Sequence, residues 1–409
     1  MAEPDIPMAM ATVIPIDAAT YHSQSSSSNN NINDSKKHDV RTSFQRGRSH
    51  RVMVPQPSSK KLNSFELETL RSQGYTAGLI NSIARNNLTF PLRIWVVDNS
   101  GSMSINDGHR MVETKSKNDV KFVNCSRWAE IRETVEYHAQ IAALLEAPTV
   151  FRLLNDPGKM CGPQQFSIAE RGSHYIAEDL NIALTTMKQA TPSGVTPLAE
   201  HVREIRENVL AMQPQLVENG QKVVVVLATD GLPSDMSGIT SHHTRREFQD
   251  ALRSLEGLPV WMVIRLCTDE EDVVEFYNNL DSELELSLEV LDDFMGEAEE
   301  VYEHNKWLNY ALPLHRIREM GFSHKLFDLL DERPLTKDEL RDFFHLLFGT
   351  APFDSVPDPQ VNWKGFCDQL SIIVNSEAKQ WNIHKKKMTP WIDVKKLSKT
   401  YDASGCVCM

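Results

Sequence analysis

Long apolar runs, the pattern of a secretory signal in the first residues, Cys-x-x-Cys pairs and net positive charge are all lacking in this 409-residue sequence. Its longest clean apolar run, Val223 to Ala228, falls far short of the roughly 20 residues that a membrane-spanning helix needs. Met1-Ala2-Glu3 opens without the basic stretch and long apolar segment of a secretory signal. The six cysteines, at 125, 161, 267, 367, 406 and 408, form no Cys-x-x-Cys pair and no framework spacing. They read as free thiols in a reducing compartment, the cytosol. Acids outnumber bases, 56 Asp and Glu against 43 Lys and Arg, and the formal charge of -13 argues against a nucleic-acid binder that works through bulk charge. The chain has no Gly-x-Ser-x-Gly elbow and no glycine-rich Lys-Ser/Thr loop, which removes two common hydrolase designs. What remains, with 41% hydrophobic residues, can bury a sizeable core, as one large domain with appendages or as two.

Composition and periodicity divide the chain into five segments. Residues 1–62 read as a disordered tail, because Ser25 to Ser28 and Asn29-Asn30-Asn31 have almost nothing to bury. The basic run from Lys36 to Lys61 within it is a solvated stretch, or a docking or phosphorylation segment. Residues 63–89 form a helical lead-in, with Leu67, Leu70, Leu79, Ile80 and Ile83 at roughly helical spacing around Gly74. From 90 to 305, strands alternate with helices, which predicts an α/β fold with a doubly wound, mostly parallel sheet flanked by helices. Leu92 to Val97 is its first strand, and the valine run Lys222 to Thr229 is a strand buried on both faces. The insertion from Met103 to Cys125 predicts a β-hairpin, Ser126 caps a helix running to Glu146, and Gln165 to Ala169 reads as an antiparallel edge. Residues 306–383 make a helical appendage: Leu308 to Met320, Ser323 to Asp331, Lys337 to Phe348 behind a Thr336–Glu339 capping box, and Trp363 to Trp381. Residues 384–409 read as a lysine-rich tail ending in Cys406-Val407-Cys408-Met409.

Chemistry concentrates where strands end. Asp98-Asn99-Ser100-Gly101-Ser102 follows the first strand, Thr196 lies in the loop Pro192 to Pro197, and Asp230 follows the valine strand. In an open α/β sheet, ligands bind at the carboxyl ends of the strands. Five hard oxygens on three such loops suit a small hard divalent cation, Mg²⁺ or Mn²⁺. Ser100 and Ser102, two apart around Gly101, can place both hydroxyls on one side of an ion, and Thr196 adds a third. Neutral hydroxyls donate weakly and leave the ion electrophilic, while Asp98 and Asp230 are better placed to hold its water ligands. An ion with an open position seeks an external carboxylate.

The pieces Asp98-Asn99-Ser100-Gly101-Ser102, Gly194-Val195-Thr196-Pro197-Leu198 and Thr229-Asp230-Gly231 together resemble the metal-ion-dependent adhesion site of the von Willebrand factor A domain. The resemblance covers residues 90 to 305. It implies a Rossmann-like sheet, with Ser100, Ser102 and Thr196 touching the metal and Asp98 and Asp230 acting largely through water. It also implies that a partner's acidic residue completes the coordination, and that the last helix, near Glu297 to His304, shifts with it. Intracellular relatives such as copines and chelatase subunits use this fold for assembly. The 103–125 insertion is long for the family, so the family's ligand preference is not carried over.

Cys406-Val407-Cys408-Met409 fits the C-a-a-X prenylation pattern, with Cys406 as the lipid acceptor and lysines 385, 386, 387, 395, 396 and 399 as a basic second signal for a membrane surface. His242-His243 reads as a solvated loop, and Trp307, Trp363, Trp381 and Trp391 read as packing aromatics. An aspartyl-phosphate mechanism at Asp98 lacks its second carboxylate, since Ser100 stands there. The expectation is a cytoplasmic, non-enzymatic module that binds a protein partner through Mg²⁺. The alternatives are a metal-dependent hydrolase, or a prenylated membrane-tethered scaffold in which the metal site is only structural.

Overall fold

The computed structural model describes residues 54–55, 61–113 and 120–402. The expected N-terminal tail, apart from a few positions, and the Cys406 tetrapeptide lie outside the described residues. Val54, inside that expected tail, is buried at 2% exposure and donates its N–H to Gln215.

Two helices lead in. α1 (Ser64–Ser72) starts at a capping box of Asn63 and Glu66, and α2 (Ala77–Thr89) starts under the Thr76 hydroxyl. β1 (Leu92–Val97) comes next, then an antiparallel hairpin of β2 (Gly108–Glu113) and β3 (Val120–Cys125). α3 (Arg127–Leu144) is capped by Ser126, as its sequence predicts. Then come β4 (Thr149–Leu153), β5 (Gln165–Ile168), α4 (Ile176–Gln189), α5 (Leu198–Glu218), β6 (Val223–Thr229), α6 (His242–Arg253), β7 (Val260–Leu266), α7 (Glu271–Glu283), β8 (Leu288–Leu291) and α8 (Phe294–His304).

The six-stranded sheet runs β5-β4-β1-β6-β7-β8. All its pairings are parallel except β4 with β5, the antiparallel edge that the sequence predicts. From β1 the chain builds outward first to β4 and β5, then returns to lay β6, β7 and β8 on the other side. This order reverses between β1 and β6, the position where ligands bind in doubly wound sheets. Alternation along the strands explains the two cores. Leu92, Ile94 and Val96 with Val223, Val225 and Leu227 face α5, α6 and α7. Trp95 and Val97 with Val224, Val226 and Ala228 face α3 and α4.

A third core ties the lead-in and the C-terminal helices to the same body. α9 (Leu312–Glu319), α10 (Lys325–Glu332), α11 (Lys337–Phe348) and α12 (Trp363–Ser376) join α1 and α2 there, against Tyr137, Ile141 and Leu144 of α3. α3 is thus apolar on two sides, one for the sheet and one for the appendage. At Gly78 a methyl group would stand 2.3 Å from the Leu346 carbonyl oxygen, so only glycine lets α2 cross α11 this closely. Gly321, at φ +80°, turns the chain against Val224 of the sheet.

His242 and His243 open α6 instead of lying in the loop before it, and three further sequence expectations change. Leu308 is bridged to Ile392 and Ala311 is extended, and the helix begins only at Leu312, which puts Pro313, with no N–H to donate, in its first turn. The helix from Trp363 stops at Ser376, and Trp381 lies in a strand instead: β9 (Gln380–Asn382) pairs with β10 (Lys387–Thr389). The lysine-rich stretch is not a tail through residue 402. It holds this hairpin and α13 (Val394–Asp402), whose Leu397 and Tyr401 are buried in the third core. Among the described residues, no helix is long and apolar enough to cross a membrane.

Candidate metal centre

Register places the site. Val97 of β1 pairs with Ala228 of β6, and the Asp98 N–H donates to the Ala228 carbonyl at 2.8 Å. The two strand-end loops therefore leave the sheet side by side. The Asp98 carboxylate is fully buried, accepting from the Ser100 N–H at 2.8 Å on Oδ1 and from the Thr229 hydroxyl at 2.7 Å on Oδ2. Burial, helped by the nearby Asp230 charge, pushes its carboxyl up to about 6. These neutral donors hold the oxygens in place without neutralising them.

Ser100, Ser102 and Asp230 form one series. The Ser100 and Ser102 hydroxyls are 3.0 Å apart, and Ser102 donates to Asp230 Oδ1 at 2.9 Å. The loop that carries Thr196 is fastened to both neighbours: Ser193 N–H to Asn99 O at 2.7 Å, Gly101 N–H to Gly194 O at 3.3 Å, and Thr196 N–H to Ser234 Oγ at 2.9 Å. A methyl at Gly231 would meet the Thr196 hydroxyl at 3.9 Å, so that hydroxyl faces the loop after β6. Asp98, Ser100, Ser102, Thr196 and Asp230 are therefore brought together. Cys406 lies outside the described residues.

The donor set fits a small octahedral cation. Neighbouring ligands of an ion coordinated at about 2.0–2.1 Å lie about 2.9 Å apart. The Ser100 and Ser102 hydroxyls, at 3.0 Å, are spaced to serve as neighbouring ligands, and Asp230, 2.9 Å from Ser102, is placed to hold a water ligand. Two buried carboxylates supply the negative charge such an ion requires.

Several contributors were not legible in the sequence. Asn155, after β4, donates its N–H to Asn99 Oδ1 at 2.7 Å and its side-chain amide to the Val195 carbonyl at 2.9 Å, locking two of the loops together. Gly194, at φ +96°, is required there, since a methyl would stand 2.5 Å from the Asn155 side-chain oxygen. Arg127 is the larger omission. Its guanidinium reaches Asp107 at 2.7 and 2.6 Å, Glu270 at 2.8 Å and Asp230 Oδ2 at 3.1 Å. Burial opposes its charge, but the three carboxylates outweigh that and raise its pKa. A basic residue at the first position of a helix opposes the helix dipole, a signal that acidic partners wait nearby.

A second carboxylate group, Glu297, Glu300 and Asp331, has oxygens within 4.8 Å of one another and could hold a metal ion. Arg318 already contacts Glu297 and, at 3.3 Å, Asp331.

No protein-family model matches this chain, and no curated protein matches its sequence. Among solved structures it is similar to a mutant of the PilB minor pilin from Streptococcus sanguinis, at 13% identity and a TM-score of 0.35. The alignment covers 58% of this chain and spans 62% of that one. A likeness that loose carries no functional argument.

Proposed function

We propose that this chain is a von Willebrand factor A-type module that binds a protein partner through a Mg²⁺- or Mn²⁺-dependent adhesion site, without catalysing a reaction. The observation that carries this reading is the convergence of the Ser100 and Ser102 hydroxyls, 3.0 Å apart, with the buried carboxylates of Asp98 and Asp230 on the loops where β1 and β6 end. The strand order with its antiparallel edge agrees with it. Ser100, Ser102 and Thr196 present neutral hydroxyls, and Asp98 and Asp230 orient water and balance charge. A divalent cation bound there supplies an electrophilic centre able to take a carboxylate oxygen from outside. The Asn155 and Ser234 contacts hold the Thr196 loop at its distance before any ligand arrives, so little order remains to be gained on binding.

The test is a pull-down from cytosol in Mg²⁺ with the wild type and with Asp98→Ala, compared with the same experiment in EDTA, alongside calorimetric titration of each protein with Mg²⁺ and Mn²⁺. Metal heats and a set of partners that both vanish in the variant and in EDTA are expected. Identical partner sets with a folded variant would remove adhesion through this site. Turnover of phosphoester or ester substrates that depends on Asp98 would replace it with a hydrolase.

A further inference from the structure

The chain is acidic overall at -13, yet the charged residues that line one concave surface are almost all cations. A groove of about 640 Å³ opens between the segment after α8, the end of α12 and the β9–β10 hairpin. Lys306, Lys379, Lys385, Lys387 and Lys395 line it with a single carboxylate, Asp393. Lys385 takes that carboxylate at 3.1 Å. Lys306, Lys379, Lys387 and Lys395 are exposed and have no ion-pair partner among the described residues.

This clustering is imposed by the fold. Trp391 and Ile392, beneath the groove, and Leu397 on α13 are at most 2% exposed, so the backbone that carries these lysines is anchored in the third core. Like charges held together in a concavity focus a positive potential there, which an anion relieves. The volume lies within the range of small-ligand sites, about 300–1,000 Å³. Four uncompensated ammonium groups match two or three phosphates at about -1.5 to -2 each. An acidic peptide fits less well, because successive side chains of an extended strand point to opposite faces and only alternate carboxylates would reach the groove. Ser371 and Asn375 add neutral polar groups suited to hydroxyls.

We propose that this groove binds a multiply phosphorylated polyol, an inositol polyphosphate either free or as the headgroup of a polyphosphoinositide. The lysine ammonium groups pair with its phosphates as point charges, and the Asn375 amide and the Ser371 hydroxyl take its ring hydroxyls.

The experiment uses the full chain in EDTA, so that no metal can bridge phosphate to Asp98 or Asp230. One arm titrates inositol hexakisphosphate calorimetrically. The other sediments the protein with phosphatidylcholine vesicles that contain or lack phosphatidylinositol bisphosphate. The variant K379Q/K387Q/K395Q, all at exposed positions, is compared with Lys188→Gln on α4. Binding in either arm, weakened about 100-fold in the triple variant at roughly fivefold per lysine and unchanged in Lys188→Gln, upholds the proposal. The responding arm identifies the source of the ligand. No binding in either arm, binding retained by the triple variant with its melting temperature intact, or equal binding of a polyglutamate peptide of matched charge would overturn it.

Discussion

Arg127 Nη1 donates to Asp230 Oδ2 at 3.1 Å, with the aspartate side chain fully buried and the arginine side chain 2% exposed. The same guanidinium grips Asp107, before the hairpin, and Glu270, after β7. One side chain thus joins the metal centre to two loops that are far apart in sequence. Its fork also holds one oxygen of Asp230 and leaves the other to Ser102.

Replacing Arg127 with Met is expected to act in two directions. Breaking a buried pair costs about 3–5 kcal/mol. Here the lower end applies, about 3 kcal/mol, because Asp107 and Glu270 are roughly half exposed and their contacts are screened. Urea unfolding checks that loss. Mg²⁺ titration of the same variant should show tighter binding, since the Asp230 charge is no longer shared with a guanidinium. Arg127→Lys keeps the charge but not the fork, and should lie between the two.

A second buried charge centre organises the join between the sheet and the appendage. Glu319 on α9 is fully buried and meets His138 at 2.9 Å, Arg316 at 2.9 Å, His315 at 3.3 Å and Arg265 at 3.5 Å. Burial opposes its ionisation, but the Arg316 charge, with contacts from His315 and His138, holds it well below the ordinary glutamate value. Glu319→Gln leaves Arg316 without its charge partner, while Arg265 keeps Glu130, and should destabilise by about 3–5 kcal/mol in a denaturant melt.

His315 gives that join a pH dependence of its own. Burial lowers its pKa to about 4, against the pull of Glu319. Between about 4 and its ordinary value of 6.5 the unfolded chain therefore binds a proton that the folded chain does not. Stability from this group is present above 6.5 and is lost as pH falls toward 4. The full shift corresponds to about 3 kcal/mol. The difference in unfolding free energy between wild type and His315→Gln should shrink by that order from pH 7 to pH 4, and a constant difference would remove the assignment.

The sheet and the site loops were legible because their signals are local. An apolar run rich in valine declares a buried strand, and the aspartate just past it, Asp98 or Asp230, stands at a strand end whatever the partner strands are. The Thr336–Glu339 box likewise announced α11. Arg127 and Asn155 were not legible, since their partners depend on which strand ends become neighbours. The lysine-rich segment misled for a related reason. Its apolar stripe is only Val394, Leu397 and Tyr401, and what makes it a folded helix is the distant surface it covers, including Trp363, whose ring lies 5.6 Å from that of Tyr401. Leu397→Ala should therefore cost about 2–5 kcal/mol, measured by thermal or urea unfolding, where an unstructured tail would lose nothing.

Asp98 separates folding from ligand binding by the sign of one substitution. Its carboxylate is buried beside Asp230 and accepts only from Ser100 and Thr229, so in EDTA its charge burdens the fold. Asp98→Asn removes that charge at constant shape and should leave the metal-free protein as stable as wild type or more so. Saturating Mg²⁺ should reverse the order. A ligand that binds only the folded state adds about 2.7 kcal/mol at one hundred times its dissociation constant, and the variant forfeits that gain. Paired melting curves with and without Mg²⁺ read both terms at once. Curves that cross establish a cation site built on Asp98. A variant that is weaker by the same amount in both conditions would assign the residue to the fold alone.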